Sequence, residues 1–291
     1  MLHADSARNR LIGIGLISLT YLLFTMLDGS AKWLVRSLPV VEVVWVRFAS
    51  QALLSAVLLP VHGLALAKSR RPRLQLLRGF MMVTITAINF TALRFLPLTV
   101  TSSIFFSVPI IVALMSVPLL GERLDAARGA AIVVGFLGVL VIVRPFGSGF
   151  HPAMLLCVLN ALLYSLFNLM TRHLAAYDTP ATTQFLSALV PAVGLAPFAL
   201  AAWQAPPDML HWAVMAVLGV WGGVGHYLLA AAHRYGSAST LAPFAYPQVI
   251  YMAAFGYVVF GDVPSAAVLV GAPIVIGSGL FLLLRERRRR G

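Results

Sequence analysis

LTYLLFTMLDGSAKWL, residues 19–34, and LNALLYSLFNLMTRHL, residues 159–174, stand 140 positions apart and read as one segment written twice. Without a gap, Leu19, Leu22, Leu23 and Leu34 meet Leu159, Leu162, Leu163 and Leu174, Asp28 meets Asn168, and Lys32 meets Arg172. Carried outward, the same shift brings Gly79 onto Gly219, Arg94 onto Arg234, and Gly121-Glu122 onto Gly261-Asp262. Leucine matches are cheap in leucine-rich helices. The Arg, Gly and Gly-acid matches are not, and all fall at corresponding ends of apolar runs. Residues 1–145 and 146–291 are therefore expected to be two structural repeats.

The repeats are built for lipid. Of 291 residues, 60% are hydrophobic and 10% charged, where a soluble domain carries roughly a quarter charged. Apolar runs fall near 11–33, 40–60, 74–94, 97–119, 126–144, 152–172, 180–202, 210–233, 238–260 and 264–284, each close to the roughly 20 residues that cross a bilayer. The run at 11–27 follows Arg8 and Arg10 but has no small-residue cleavage site after it, so it reads as a first span rather than a signal peptide. The expected fold is an all-α membrane protein of ten transmembrane helices in two five-helix repeats. Five is odd, so the second repeat enters the membrane inverted. Short loops leave no room for a further domain.

Charge sets the orientation. With ten spans, 16 of the 21 Lys and Arg fall on the side of the termini, four on the other (Lys32, Arg36, Arg94, Arg144), and Arg47 inside a span. The positive-inside rule then puts both termini in the cytoplasm of a multi-pass protein of the cell's inner membrane. The net charge of +12 gathers at span ends and in the tail Arg285, Arg287, Arg288, Arg289 and Arg290. Anionic lipid headgroups account for such a tail, and no nucleic-acid partner is expected. Cys157, alone in an apolar run, offers neither a disulfide nor a thiol metal site.

Several stretches resemble the EamA branch of the drug/metabolite transporter superfamily. They are Asp28-Gly-Ser-Ala-Lys-Trp-Leu, Val44-Trp-Val-Arg47-Phe, Leu76-Leu-Arg78-Gly79, Leu96-Pro97-Leu, Ile104-Phe-Phe-Ser-Val-Pro109, and Leu120-Gly-Glu-Arg123 through Gly135-Phe-Leu-Gly138 to Arg144-Pro145. The second half adds Gly225-His226-Tyr-Leu-Leu, Ala232-His233-Arg234, Leu241-Ala-Pro243-Phe, Tyr246-Pro-Gln248 and Val259-Phe-Gly-Asp262. The resemblance covers essentially the whole chain. It implies a basket of spans one to four and six to nine around a central cavity, with spans five and ten peripheral. Within the superfamily the chain looks most like bacterial riboflavin transporters and a group assigned to S-adenosylmethionine uptake.

Independently of that resemblance, an inverted repeat suits alternating access, because two similar halves can exchange conformations around a midplane site. The sequence shows no catalytic constellation, metal-spaced cluster or phosphate loop. No enzyme activity, cofactor, metal or ATP drive is expected.

Polar groups at membrane depth are the candidate site, since they are costly unless they line a cavity or pair. Arg47 is either a substrate clamp or half of an ion pair with Asp28 or Glu42. Asp28 and Lys32, four apart on one helix face, form either a salt bridge near the outer mouth or a gate or coupling pair. Asn160, Tyr164 and Asn168 recur every four residues and face either the cavity or a neighbouring helix. Asn89, His226, Tyr246 and Gln248 complete the candidate substrate-binding set, and Pro109, Pro118, Pro243 and Pro247 mark bends. Trp45, Phe105 and Phe106 would give flat walls. The small residues Ala127, Ala131, Gly135, Ala267 and Gly271 serve either packing within the chain or a homodimer. A flavin wants such aromatic walls and amide partners, so the expected function is transport of riboflavin or a related flavin inward. The alternatives are S-adenosylmethionine uptake, and export of amino acids or toxic metabolites.

Overall fold

The computed structural model describes residues 7–56, 67–120, 126–145, 147, 149–174, 176–235 and 241–290. The helices are α1 (Ala7–Leu34), α2 (Val40–Ala56), α3 (Pro72–Phe95), α4 (Leu98–Phe105), α5 (Val108–Leu120), α6 (Ala126–Val143), α7 (Ala153–Leu174), α8 (Pro180–Ala201), α9 (Met209–Tyr235), a 3-10 turn at Ala242–Ala245, α10 (Gln248–Phe260) and α11 (Ala266–Arg290). Among the described residues, eight spans are long and apolar enough to cross a bilayer by themselves. The described part of α2 and the shorter α10 take the second and ninth places. The protein is thus an all-α membrane protein of ten spans in two inverted five-helix repeats. The repeat partners Gly121 and Glu122, and the side chains of Pro118, Arg172, His233, Arg234 and Pro243, lie outside the described residues.

The bends expected at Pro109 and Pro247 are breaks in the helices. The fourth apolar run is two helices, α4 and α5, broken at Phe106 and Ser107. Pro109 cannot donate to the carbonyl four residues back, so the ladder fails there. In the second repeat the ninth span breaks at Tyr246 and Pro247, each 140 positions on, where Pro247 again lacks the N–H.

Packing repeats the sequence register. The α1–α9 contact is mirrored by α3–α7, and α2–α9 by α3–α8. Two glycines make the close crossings. A methyl on Gly79 would lie 2.6 Å from Val190 Cγ1, and one on Gly219 would strike Ser50 Oγ and lie 2.7 Å from the Gln51 backbone nitrogen. Val190 and Ser50 are again 140 apart. Because backbone cannot yield as a flexible side chain can, Gly219→Ala should cost about 1–3 kcal/mol of stability, read as a lower unfolding temperature in detergent. Gly277→Ala on α11 meets nothing within 4 Å and should be neutral or slightly stabilising. Equal behaviour of the two variants would refute this account of the crossing.

The small-residue stripe resolves in favour of packing within the chain. On α6 and α11, Ser278 Oγ donates to the Ala131 carbonyl at 2.6 Å. A methyl on Gly271 would meet the Gly138 carbonyl at 2.8 Å. These two contacts exchange under the 140-residue shift, since 131 maps to 271 and 138 to 278. Ala131 and Gly271 of this stripe are thus used in the contact between spans five and ten. Outward, Phe80, Phe136 and Val258 are exposed, as a lipid-facing wall requires.

Both ends of the bundle are tied. Towards the chain termini, Asp178 accepts from Ser69 Oγ at 2.5 Å, the Arg70 N–H at 2.8 Å and Gln75 Nε2 at 2.8 Å. Burial pushes this carboxyl up, but those donors outweigh it and hold it below the ordinary carboxylate range. Nearby, Arg78 donates to Thr171 Oγ1 at 2.9 Å and to Ser187 Oγ. At the opposite end, Glu42 Oε2 accepts the Gln204 N–H at 2.9 Å, and Lys32 meets Asp262 at 2.6 Å.

Candidate functional site

A cavity of about 430 Å³ lies among α1, α2, α3, α4, α5, α7, α9, α10 and the tenth span, α11, which contributes Leu283. Its lining obeys the repeat. Phe24 and Tyr164, Asp28 and Asn168, Thr86 and His226, Asn89 and Leu229, Phe106 and Tyr246, and Val108 and Gln248 are each 140 apart, and both members of every pair face the cavity. Phe106 and Tyr246 touch, ring centroids 5.1 Å apart. Register-related residues can meet only near the pseudo-twofold axis, so the cavity sits on it. The scaffold is symmetric while the chemistry is not: an acid faces an amide, and a threonine faces an imidazole.

The eight residues expected to bind substrate, Arg47, Asn89, Asn160, Tyr164, Asn168, His226, Tyr246 and Gln248, are all brought to this one cavity, together with Asp28. Asp28 Oδ1 accepts from Asn89 Nδ2 at 3.1 Å. The Asn160, Tyr164 and Asn168 stripe presents one face of α7. Aromatic walls come from Phe105 against Tyr164 at 4.8 Å and Phe24 against His226 at 4.9 Å.

Three pairings differ from expectation. Lys32 does not line the cavity, and its partner is Asp262 rather than Asp28, because the acidic turn after α10 reaches it across the repeat boundary. Glu42 is spent on the Gln204 N–H, so it does not pair with Arg47. Trp45 turns away from the cavity, its indole N–H donating to the Ala192 carbonyl at 2.8 Å.

Arg47 is therefore left over. It is 4% exposed, packs its guanidinium 4.3 Å from the Phe48 ring centre, and has no carboxylate within 4.0 Å among the described residues. Its Nη1 is sealed without a hydrogen-bond partner, as are Asn160 Oδ1 and Tyr246 Oη. Buried polar groups are ordinarily satisfied. These three belong to residues that line the cavity, whereas the unsatisfied Glu42 Oε1, Gln51 Oε1, Gln75 Oε1 and Thr99 Oγ1 belong to residues that do not.

Sequence reasoning overlooked Tyr21, Thr86, Thr101 and Ser102, which also line the cavity. The hydroxyl-rich run 99–103 was the available signal. Its pull was diluted because Thr101 and Ser103 also bond to carbonyls of their own helix.

The EamA-like transporter family model matches the chain twice, over residues 11–144 and 151–285. The chain belongs to the EamA-like transporter family. As an EamA-like protein it is a multi-pass membrane transporter of small molecules and not an enzyme. It is 27% identical over 284 residues to an S-adenosylmethionine uptake transporter of Rickettsia bellii, covering 98% of this chain and 97% of that one. It is 28% identical over 269 residues to a riboflavin transporter of Rhizobium johnstonii, covering 91% and 89%. It is 27% identical over 280 residues to a pseudopaline exporter of Pseudomonas aeruginosa, covering 96% and 97%.

Proposed function

We propose that this EamA-like transporter carries an adenosyl amino acid of the S-adenosylmethionine type inward across the cytoplasmic membrane, with both termini cytoplasmic. The observation that supports this most is Arg47 and Asp28 facing one cavity without forming an ion pair. Isolated buried charges cost several kcal/mol each. Arg47 and Asp28 feel each other's charge but make no contact pair within 4.0 Å, so a neutral ligand would leave both only partly compensated, whereas a zwitterion answers both. In this reading Arg47 answers the carboxylate with a charge-assisted contact, and Asp28 takes the positive half of the substrate. Tyr164, Phe105 and Phe24 flank a flat purine, and Asn160, Asn168 and Gln248 are available to its ring edge. Size does not choose between substrates, because adenosyl amino acids and flavins are comparable in bulk.

Flavin transport is the second reading, favoured by the amide-bearing Asn89, Asn160, Asn168 and Gln248 beside aromatic walls. The test is accumulation of labelled S-adenosylmethionine in proteoliposomes of the purified protein, with unlabelled riboflavin and neutral amino acids as competitors. Saturable accumulation that riboflavin does not compete is expected. Accumulation of riboflavin with none of S-adenosylmethionine would replace the first reading by the second. Net efflux against an imposed inward gradient would reverse the direction.

A further inference from the structure

Lys32 lies one helical turn beyond Asp28 on α1 and is 3% exposed. Its ammonium donates to Asp262 Oδ2 at 2.6 Å and to the Leu96 carbonyl at 3.0 Å, and it stands 4.8 Å from the centre of the Phe260 ring. Three elements meet on this one nitrogen. Two of them, α1 and the end of α3, belong to the first repeat. The third, Asp262, follows the left-handed cap Gly261 (φ 70°) that ends α10 in the second repeat. The contact thus joins the repeats just beyond the cavity, at the end away from the chain termini.

Another carboxylate stands one turn back on the same helix. An acid four residues before a lysine on a helix is well placed to pair with it, and Asp28 holds that position. The flexible four-carbon stem can direct the charge along the helix toward that position. In this structure Asp28 is engaged by Asn89 and Lys32 by Asp262. If the repeats part at this end, Lys32 loses Asp262, and a buried ammonium left without a carboxylate is costly in a membrane protein. Arg36, the neighbouring cation, lies 4.5 Å from the Phe260 ring and is exposed, so it can remain in solvent.

We propose that Lys32 is an exchangeable gate cation, shutting this end of the transporter when paired with Asp262 and moving to Asp28 when the repeats separate there. A cation reaching Asp28 from outside displaces Lys32 back to Asp262, so the entrance closes behind the substrate. That last step rests on the proposed role of Asp28 in binding the substrate's positive half. The exchange itself requires no ligand.

The test is ligand-free. In a Cys157→Ser background with Ile85→Cys as a reporter within the cavity, intact cells are treated with a membrane-impermeant maleimide and the rate of labelling is measured. Asp262→Asn weakens the closed pairing and should raise that rate by about tenfold. Asp28→Asn removes the competing carboxylate and should lower it. Opposite signs from two conservative neutralisations exclude general loosening, which would raise both rates. Rates that rise in both variants, or that change in neither, overturn the proposal. As no adenosyl compound is present, failure of the proposed substrate leaves this result untouched, and failure here leaves the uptake assay intact.

Discussion

Arg47→Met is expected to lose about a hundredfold in uptake, the equivalent of about 2.7 kcal/mol of a charge-assisted contact, while the protein should become no less stable. The two halves of that result belong together. A guanidinium inside a span costs roughly 2.5–3.5 kcal/mol on insertion scales, and here the carboxylate of Asp28 offsets it only from beyond 4.0 Å. Methionine fills similar volume without the charge, so the unfolding temperature should stay level or rise. A residue kept at the expense of stability is one kept for binding. Substrate uptake and thermal unfolding in detergent, measured on one preparation, check both halves. A variant that loses stability in step with uptake would show Arg47 to be structural instead.

Asp28→Asn is the second large effect, and its value lies in selectivity. The amide keeps the shape and can still bond to Asn89, but it no longer answers a positive charge. Binding of S-adenosylmethionine should weaken by about thirtyfold, or about 2 kcal/mol. Binding of a neutral flavin, if any is found, should be unaffected. Competition binding to the purified variant reads both. Equal weakening for charged and neutral ligands would mean that Asp28 shapes the cavity rather than reading charge.

Much of this site was legible before any coordinates. Mid-span polar residues are expensive in lipid, and that single cost picked out Arg47, Asn89, Asn160, Tyr164, Asn168, His226, Tyr246 and Gln248, all of which face one cavity. Partner choice was not legible. Asp28 and Lys32 sit in ideal local spacing, yet Lys32 binds Asp262, 230 positions away. Sequence spacing weighs neighbours on one helix and is blind to a loop from the other repeat. Trp45 failed for the same reason: an aromatic in a span carries no sign of direction, and its indole N–H turned to a carbonyl on α8.

The small-residue stripe shows the boundary most clearly. Spacing alone established that spans five and ten could each be approached closely. That they approach each other followed only once the two repeats were superimposed about an axis, with Ser278 on Ala131 and Gly271 on Gly138. By itself the sequence determined a ten-span membrane protein in two inverted repeats, because hydropathy and the 140-residue register are local or additive properties of the chain. The tertiary structure decided where the axis runs, which charges are compensated across it, and that Arg47 has no carboxylate within 4.0 Å among the described residues. Those depend on distances between residues far apart in sequence, which composition and periodicity do not encode.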